Sequence, residues 1–263
     1  MSSRVLYGKH AVLEALAAKA PIRHLYVGEG AARDRRFQEA LSKVRVPVSS
    51  ARREQLDRMT DGGIHQGVVA VLEGFSFQNL GGLLEKAKDQ ERYPVLVACD
   101  EISDPHNLGA ILRSTEALGG VGAIVPERRS SPITPVVEKA AAGATSRLPI
   151  AKVVNLSDAL EECKEAGFWV VGADARGGQP VEKFDFARPT VLVVGSEGKG
   201  LRDRVRNTCD ALVLIPLSGK IGSLNASVAA GVVLYEISRQ RRAMENIQAK
   251  EEGQEVEADD SGE

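Results

Sequence analysis

Two patterns of apolar positions alternate along the first 75 residues and predict alternating helices and strands. Apolar residues at helical spacing predict helices, and short apolar runs predict strands. The helices are expected in GKHAVLEALAAK, ARDRRFQEALSKV and ARREQLDRM, and the strands in IRHLYVG, VPVS and GVVAVLEGF. Residues 1–75 are therefore predicted to form a small α/β domain. Residues 76–92, SFQNLGGLLEKAKDQER, are polar and contain glycine, which predicts a linker with one short helix.

From residue 93 the apolar runs are nearly continuous, as in PVLVACD, GAIVP, FWVVGAD, TVLVVG and ALVLIP. Such runs are typical of strands that are buried on both faces of a parallel sheet. Helical patterns separate them at LGAILRSTEAL, PVVEKAAAG, LSDALEECKEAG and LRDRVRN, and a long helix is expected over about residues 224–244. Residues 93–246 are therefore predicted to form a second α/β domain.

The charge is distributed unevenly along the chain. Residues 250–263 carry one lysine and seven carboxylates, whereas the 249 residues before them carry 33 basic and 29 acidic side chains. A segment so rich in charge has little to bury, so residues 247–263 are predicted to be a disordered acidic tail. The remainder is mildly basic, which permits a nucleic-acid partner without requiring one.

Composition excludes several classes of protein. No run approaches 18 uncharged apolar residues, so no membrane span is expected, and the N-terminal MSSRVLYGKH lacks the apolar centre of a secretory signal. The cysteines Cys99, Cys163 and Cys209 are widely spaced, which indicates reduced thiols in a cytoplasmic protein. Histidines and carboxylates do not cluster at ligand spacing, so no metal site is expected.

Three segments that follow predicted strands are rich in polar residues. Ligands bind beyond the carboxyl ends of the strands in parallel sheets, so such segments are candidate sites. The first is DEISDPHNLGAILRSTEALG, in which Asn107 could cap a helix beginning at Leu108, with Arg113 and Glu116 on one helical face. A capped helix with a surface ion pair would explain these residues equally well.

The second segment, GSEGKGL, follows the apolar run TVLVV with three glycines. It fits neither the phosphate loop, because Leu201 follows Gly200, nor the dinucleotide fingerprint, because the glycine order differs. Alone, it predicts only a turn between a strand and a helix. The third segment is IPLSGKIGSLNASVAAGVVLYE, where Ser223 and Asn225 precede the long helix and could simply cap it.

Taken together, the three segments resemble the three motifs of the SpoU/TrmH branch of the SPOUT RNA methyltransferases. DPHNLGAILRSTEALG, VVGSEGKGL and IPLSGKIGSLNASVAAGVVLYE stand in the order and spacing of that family, over about residues 95–242. YGKHAVLEAL and HQGVVA resemble the substrate-binding domain that often precedes it. The resemblance implies an α/β fold in which a small L30e-like domain precedes a parallel-sheet SPOUT domain with a trefoil knot, contrary to the general avoidance of knots.

The resemblance also implies S-adenosylmethionine as the cofactor, held by the glycine turn and the knotted loops. Gly195, Ile215 and Leu224 match positions whose backbone the family places around the cofactor. The neighbouring candidates for the same site are Val194, Ser196, Gly198 and Leu217. Lys199 is expected to point to solvent or RNA, because a cation beside a sulfonium is unfavourable.

Arg113 matches the leading catalytic residue of the family. It could act as a general base, or it could bind the phosphate beside the target ribose through its bidentate fork, and the sequence leaves both roles open. Asn107, Glu197, Ser223 and Asn225 match the other polar motif positions. Glu197 is expected to orient Arg113 or a substrate group, and the two asparagines to make substrate and loop hydrogen bonds.

The resemblance implies RNA as the substrate, with a guanosine 2′-hydroxyl of 23S ribosomal RNA as the target. The alternatives are the same chemistry on transfer RNA or another ribosomal site, and a non-catalytic RNA-binding protein. Phosphate contacts are expected from the N-terminal domain, unless these side chains only form a solvated helix face: Arg33, Arg35, Arg36, Arg52 and Arg53. A homodimer is expected because the final helix is apolar on more than one side.

Overall fold

The computed structural model of the protein describes residues 4–17, 22–72 and 75–259, without the side chains of residues 245–259. The chain divides into two compact units, Met1–Ser76 and Phe77–Glu263. Among the described residues, no helix has both the length and the apolar character that a bilayer crossing requires.

The first unit contains a four-stranded sheet with helices packed on it. Its elements are β1 (Arg4–Tyr7), α1 (Lys9–Ala17), β2 (Ile22–Val27), α2 (Glu29–Ala32), α3 (Arg35–Leu41), β3 (Val48–Ser50), α4 (Arg53–Met59) and β4 (Val68–Leu72). The strand order is β1-β4-β2-β3, in which β4 is antiparallel to both neighbours and β2 is parallel to β3. The predicted helix over residues 32–44 is split, because the Asp34 side chain accepts a hydrogen bond from Phe37 N and starts α3 anew.

The second unit contains a parallel sheet, as predicted, with seven strands where five were expected. Its elements are α5 (Leu80–Gln90), β5 (Val95–Cys99), α6 (Pro105–Ala117), β6 (Gly122–Pro126), α7 (Pro135–Ala141), α8 (Ala144–Arg147), β7 (Ile150–Val153), α9 (Leu156–Glu165), β8 (Trp169–Ala173), β9 (Gln179–Pro180), β10 (Thr190–Val194), α10 (Asp203–Thr208), β11 (Ala211–Leu214) and α11 (Ala226–Asp259). The strand order is β7-β6-β5-β10-β8-β11-β9.

The central strands of this sheet end level with one another. β10 is paired in parallel with β5 and β8, so that Val194 lies beside Cys99 on one side and Ala173 on the other. Every residue of β5 and β10 is buried, which explains their continuous apolar runs. The segments that follow these three strands therefore emerge together at one edge of the sheet.

Of the predicted linker, residues 76–92, all but Ser76 belong to the second unit. The Gln78 amide donates to the Ile150 carbonyl at 2.9 Å, and α5 buries one face against the sheet. That face consists of Leu80, Leu83, Leu84 and Ala87, which are buried in the core. Four apolar residues at this spacing suffice for an amphipathic helix even where the average composition is polar.

The predicted disordered tail also differs from the structure. α11 continues through Asp259, so that residues 247–259 are helical, while residues 260–263 lie outside the described residues. Glutamate, glutamine, alanine and lysine predominate after residue 244, and all four have high helix propensity. A low content of apolar residues prevents burial but does not by itself end a helix.

Candidate functional site

The segment after β10 folds back on itself as a closed turn. Ser196 N donates to Gly200 O at 3.1 Å, and Gly200 N donates to Ser196 O at 2.9 Å. Gly198 and Gly200 have φ angles of +81° and +68°, in the left-handed region that favours glycine. The sequence GSEGKGL therefore encodes a turn whose shape is set by its own backbone.

Gly195 joins this turn to the end of β10 at very close range. A Cβ atom added there would lie 2.5 Å from Leu201 N and would also collide with the Gly200 carbonyl group. Both obstacles are backbone atoms, so no side-chain movement could make room. Only glycine at this position lets the exit of the turn pack against the strand.

A cavity of about 290 Å³ lies beside the turn. Its walls come from the ends of β8, β10 and β11, the glycine turn, and residues 215–229. Exposed Leu217 and Ser223 lie at its rim, so the cavity is open to solvent. All seven residues predicted to hold the cofactor line it: Val194, Gly195, Ser196, Gly198, Ile215, Leu217 and Leu224.

Three polar side chains, one from each motif, meet in a hydrogen-bonded cluster. Asn225 Nδ2 donates to Glu197 Oε1 at 2.8 Å and to Asn107 Oδ1 at 2.9 Å. Asn107 Nδ2 donates in turn to Glu197 Oε2 at 3.3 Å. The cluster links α6, the glycine turn and the start of α11, so residues 90 and more positions apart in sequence share one site.

The local structure explains how the two asparagines reach Glu197. Asp104, not Asn107, caps α6, accepting from His106 N at 3.1 Å, because Pro105 occupies the first helical position. Asn107 lies inside the first turn and is 8% exposed, so its amide is free to face Glu197. Asn225 both caps α11, through Ser227 N at 2.9 Å, and joins the cluster.

Arg113 lies on the exposed side of α6 and outside the cluster. The surface ion pair with Glu116 does not form, because Arg147 binds Glu116 at 2.6 Å and lowers the pKa of that carboxyl. Within the described part of the chain, Arg113 has neither a hydrogen bond nor an ion pair, so Glu197, whose oxygens accept from Asn107 and Asn225, does not hold it. Its guanidinium group is therefore available to a partner from outside the chain.

Ser223 and Lys199 complete the predicted set. Both line the cavity and both are exposed. The helix is capped by Asn225 and not by Ser223, whose hydroxyl makes no hydrogen bond within the described residues. Lys199 is exposed, as expected, but it also lies in the cavity lining.

Sequence reasoning missed a buried carboxylate at the end of β8. The Asp174 side chain is 1% exposed and binds Arg206 Nε at 2.8 Å and Arg176 at 3.0 Å. Arg176 also donates to Leu201 O at 2.9 Å, which ties the loop after β8 to the exit of the glycine turn. Burial alone would raise the pKa of Asp174, but hydrogen bonds from Arg176 and Arg206 hold it below its usual value of 3.8.

We predict that Asp174→Asn destabilises the second unit by about 2 kcal/mol at pH 7, because a buried carboxylate loses its charge-assisted hydrogen bonds from two partly exposed arginines. A depressed pKa stabilises the fold above the ordinary value of 3.8 and loses this effect as the pH falls through the folded value. The difference between variant and wild type should therefore shrink below about pH 4. Urea unfolding can be followed by the single tryptophan, Trp169, which lies on β8 itself.

Asp158→Asn is the matched control. Arg204 binds Asp158 at the same 2.8 Å, but the two side chains are 72% and 65% exposed. Such a pair contributes less than about 1 kcal/mol. Equal destabilisation by the two variants would contradict the importance given to burial at Asp174.

The described residues contain no group of three or more histidine, cysteine or acidic side chains placed to hold a metal ion. The three cysteines lie in or near the core, where burial raises the pKa of each thiol to about 12. At neutral pH they are protonated and poorly reactive.

The first unit has a wider cavity of about 1210 Å³, formed by the ends of β2 and β3, α4 and the loop before β4. Among the five arginines predicted to contact phosphate, Arg52 and Arg53 line it. All five are exposed, and Arg35 forms only an exposed pair with Glu39 at 3.2 Å.

Sequence comparison identifies relatives over most of the chain. The profile of the SpoU rRNA methylase family matches residues 94–235, and that of the RNA 2′-O ribose methyltransferase substrate-binding domain matches residues 5–78. An uncharacterised tRNA/rRNA methyltransferase of Mycolicibacterium vanbaalenii is 46% identical, covering 92% of this chain and 78% of its own. A similarly named protein of Synechocystis is 43% identical, covering 90% of this chain and 62% of its own.

Solved structures are similar over the same span. The SpoU methyltransferase AviRb of Streptomyces viridochromogenes, in complex with the cofactor AdoMet (S-adenosylmethionine), has a TM-score of 0.67 and 30% identity, covering 90% of this chain and 89% of its own. An AdoMet-bound rRNA methyltransferase of Sinorhizobium meliloti has a TM-score of 0.63 and 26% identity, covering 90% and 87%. The family profile matches more than half of this chain, and the Mycolicibacterium vanbaalenii relative is 46% identical over 92% of it. The chain therefore belongs to the SpoU rRNA methylase family.

Proposed function

We propose that the protein is an S-adenosylmethionine-dependent RNA methyltransferase that methylates a ribose 2′-hydroxyl. The observation that carries the proposal is the convergence of Asn107, Glu197 and Asn225 beside a cavity formed by the glycine turn. Two similar structures, AviRb and the Sinorhizobium meliloti enzyme, hold the same cofactor.

The chemistry of the cavity lining suits S-adenosylmethionine. Val194, Ile215, Leu217 and Leu224 supply apolar walls for an adenine ring, and the glycine turn supplies backbone donors and acceptors at close range. Glu197 places a carboxylate in the lining that can face a cationic sulfonium, whereas the charge of Asp174 is matched by Arg176 and Arg206. When bound, the cofactor supplies an electrophilic methyl group.

The residues of the chain would orient the other reactant. Arg113, free of partners within the described chain, binds the phosphate beside the target ribose through its planar fork. A guanidinium stays protonated near neutral pH, which favours this role over that of general base. Asn225 uses both amide N–H groups on Glu197 and Asn107, so it holds Asn107 in place. Asn107 donates one amide N–H to Glu197 and keeps the other for the ribose, whose hydroxyl it orients for in-line attack.

The target that we propose is a guanosine of 23S ribosomal RNA. A first unit that matches an RNA substrate-binding profile supports a structured RNA substrate, and the family is named for rRNA methylation. Relatives named tRNA/rRNA methyltransferase keep transfer RNA as the alternative. A purely non-catalytic RNA-binding role is disfavoured by the intact three-residue cluster.

Two measurements test this proposal. Calorimetry with S-adenosylmethionine in the presence of EDTA should show binding at one site per chain; absence of binding to this cofactor and to its demethylated product, with or without RNA, would contradict the proposal. Mapping of 2′-O-methylation across total RNA, with and without the gene, should reveal one lost site. A site in 23S RNA supports the proposed target, and a site in transfer RNA supports the alternative.

We also propose a homodimer formed through the second unit. α11 buries Ala230, Val233, Leu234 and Ile237, yet it leaves a second apolar row exposed at i, i+4 and i+7. That row is Val228, Val232 and Tyr235, which are 51%, 38% and 55% exposed. The row starts within one turn of Asn225, so a partner copy seated on it would lie beside the cluster, within reach of the target ribose.

Light scattering is expected to give about twice the chain mass of 28.1 kDa. The double variant Val228→Glu/Val232→Glu should be monomeric, because two carboxylates would be buried in the interface. Ile64→Glu is the control, since Ile64 is 84% exposed in the first unit and should leave the dimer intact. A wild-type monomer with full activity would exclude the dimer.

The expected trefoil knot belongs to the same proposal. The chain leaves β11 on one side of β8 and β10, returns through residues 215–225 past the glycine turn, and ends in α11 packed on α6. Such a return is compatible with threading of one loop through another.

A further inference from the structure

Four arginines line a groove in the second unit that is separate from the cofactor cavity. The groove has a volume of about 350 Å³ and lies at the ends of β6 and β7, next to the starts of α9 and α10. None of its lining residues is acidic: Pro126, Arg128, Arg129, Val154, Asn155, Leu156, Ser157, Arg202 and Arg204. It shares no residue with the cofactor cavity.

Two of the four guanidinium groups are held in place by ion pairs with carboxylates of the second unit. Arg202 binds the fully buried Asp100 through Nε at 2.7 Å and through its backbone amide at 2.9 Å. Arg129 binds Glu101 at 3.2 Å. A guanidinium has five N–H donors, so each of these arginines keeps donors that the carboxylate does not use.

The backbone beside the groove is strained at two residues. Glu101 and Arg129, neither of them glycine, have φ angles of +56° and +59°. Left-handed backbone at such residues is uncommon and concentrates at functional sites. Glu101 lies two residues after β5 and Arg129 three residues after β6. Arg129 and Arg202 approach the same Glu101 oxygen, at 3.2 Å and 3.6 Å, so their guanidinium groups lie side by side.

The other two arginines are open to a ligand. Arg128 is exposed and has no hydrogen bond or ion pair within the described residues. Arg204 is 72% exposed and holds only the exposed Asp158, a pair that a stronger anion can displace. The remaining nearby carboxylate, Glu127, lies 3.9 Å from Lys152. The carboxylates are thus engaged, while free guanidinium donors face the groove.

The groove lies on the same edge of the sheet as the candidate active site. The strand order is β7-β6-β5-β10-β8-β11, so the groove is at β6 and β7 while the cofactor cavity is at β10, β8 and β11. α6, which carries Asn107 and Arg113, follows β5 between the two. A strand of RNA that presents a ribose to Asn107 can therefore continue into the groove.

We propose that this groove binds the phosphate backbone of RNA flanking the target nucleotide. The inference rests on the proposed function, because it takes RNA to be the substrate. Arginine forks match phosphate oxygens in geometry and charge, and phosphate contacts position an RNA without reading its sequence. The groove would thus set the direction in which the RNA strand crosses the catalytic unit.

The test is the double variant Arg128→Ala/Arg204→Ala in the full-length protein. The probe is a fluorescein-labelled 20-nucleotide single-stranded RNA of mixed sequence, titrated at several salt concentrations. We expect the dissociation constant to rise about tenfold at 0.1 M salt and the slope of log K against log salt to fall by about 1.4, the value for two lost contacts. Calorimetric affinity for S-adenosylmethionine should not change.

Lys86→Ala/Lys88→Ala is the matched control, since it removes two exposed positive charges from α5, which runs toward the opposite edge of the sheet. Unchanged RNA affinity in the arginine variant, an equal loss in the lysine variant, or no RNA binding by the wild type would overturn the inference. Failure of the proposed function is separate, because it would appear as absent cofactor binding and absent methylation in the wild type.

Discussion

Arg113→Ala is expected to lower methyl transfer by about a thousandfold or more while leaving the affinity for S-adenosylmethionine within about twofold. Arg113 does not line the cofactor cavity and has no partner among the described residues, so its loss should not disturb the fold or the cofactor. Its expected partner is the phosphate beside the target ribose. Single-turnover kinetics with saturating RNA separates the chemical step from RNA binding.

Arg113→Lys should recover only a small part of the activity, because a point charge cannot reproduce a bidentate fork. Arg92→Ala is the control: Arg92 is exposed, stacks on Tyr93 at 5.2 Å and precedes β5, at the other end of the strands. Near-normal turnover in Arg113→Ala would show that the catalytic assignment is wrong. A loss of the same size in Arg92→Ala would show that the effect is not specific to the site.

Gly195→Ala is expected to weaken S-adenosylmethionine binding by at least about a hundredfold. The new methyl group would meet the Gly200 and Leu201 backbone, so the turn must move away from the strand end. The hydrogen bonds between Ser196 and Gly200 close the turn, which therefore moves as a unit and deforms the cavity. Overpacking of this kind typically costs about 1–3 kcal/mol or more, so the variant should be less stable as well.

Gly219→Ala is the matched control for this change. Gly219 lies in the segment before α11, and a Cβ atom there would meet nothing within 4 Å. The φ angle of Gly219 lies outside the left-handed region, so alanine at this position introduces no backbone strain. We expect wild-type cofactor affinity by calorimetry. A folded Gly195→Ala protein with wild-type affinity would contradict the role given to the glycine turn.

The strands of the second unit could be predicted where burial on both faces leaves a continuous apolar run. β5, β6 and β10 are of this kind. β7, with the sequence IAKV, was missed because one of its four residues is an exposed lysine, and β1 was missed because four residues carry little pattern. β9 contains only two residues, which no periodicity can reveal.

Some residues of the site could likewise be predicted from the sequence, and others could not. The glycine turn and the asparagines could be located because each motif is local in sequence. Asp100 and Asp174 could not, because Arg202 and Arg206 lie 102 and 32 residues away from them and only the fold brings these pairs together. Arg176, two residues after Asp174, carries no such signal on its own, because an adjacent acid and base is usually a surface pair. The sequence also allows Asn107 to cap α6, but Asp104-Pro105 is the stronger start signal and Asp104 is the cap.

The order of the strands also determines when the site can exist during synthesis. Val95 of β5 pairs with Thr190 of β10 at the centre of the sheet. During synthesis β5 therefore has no partner on that side until β10 has been made. Asn225, which completes the cluster, follows still later. Non-local pairing of this kind slows folding, and domains generally fold from the N-terminal end of the chain as they emerge. The ribosome should therefore release a chain whose first unit is already folded, while the catalytic unit assembles all at once and last.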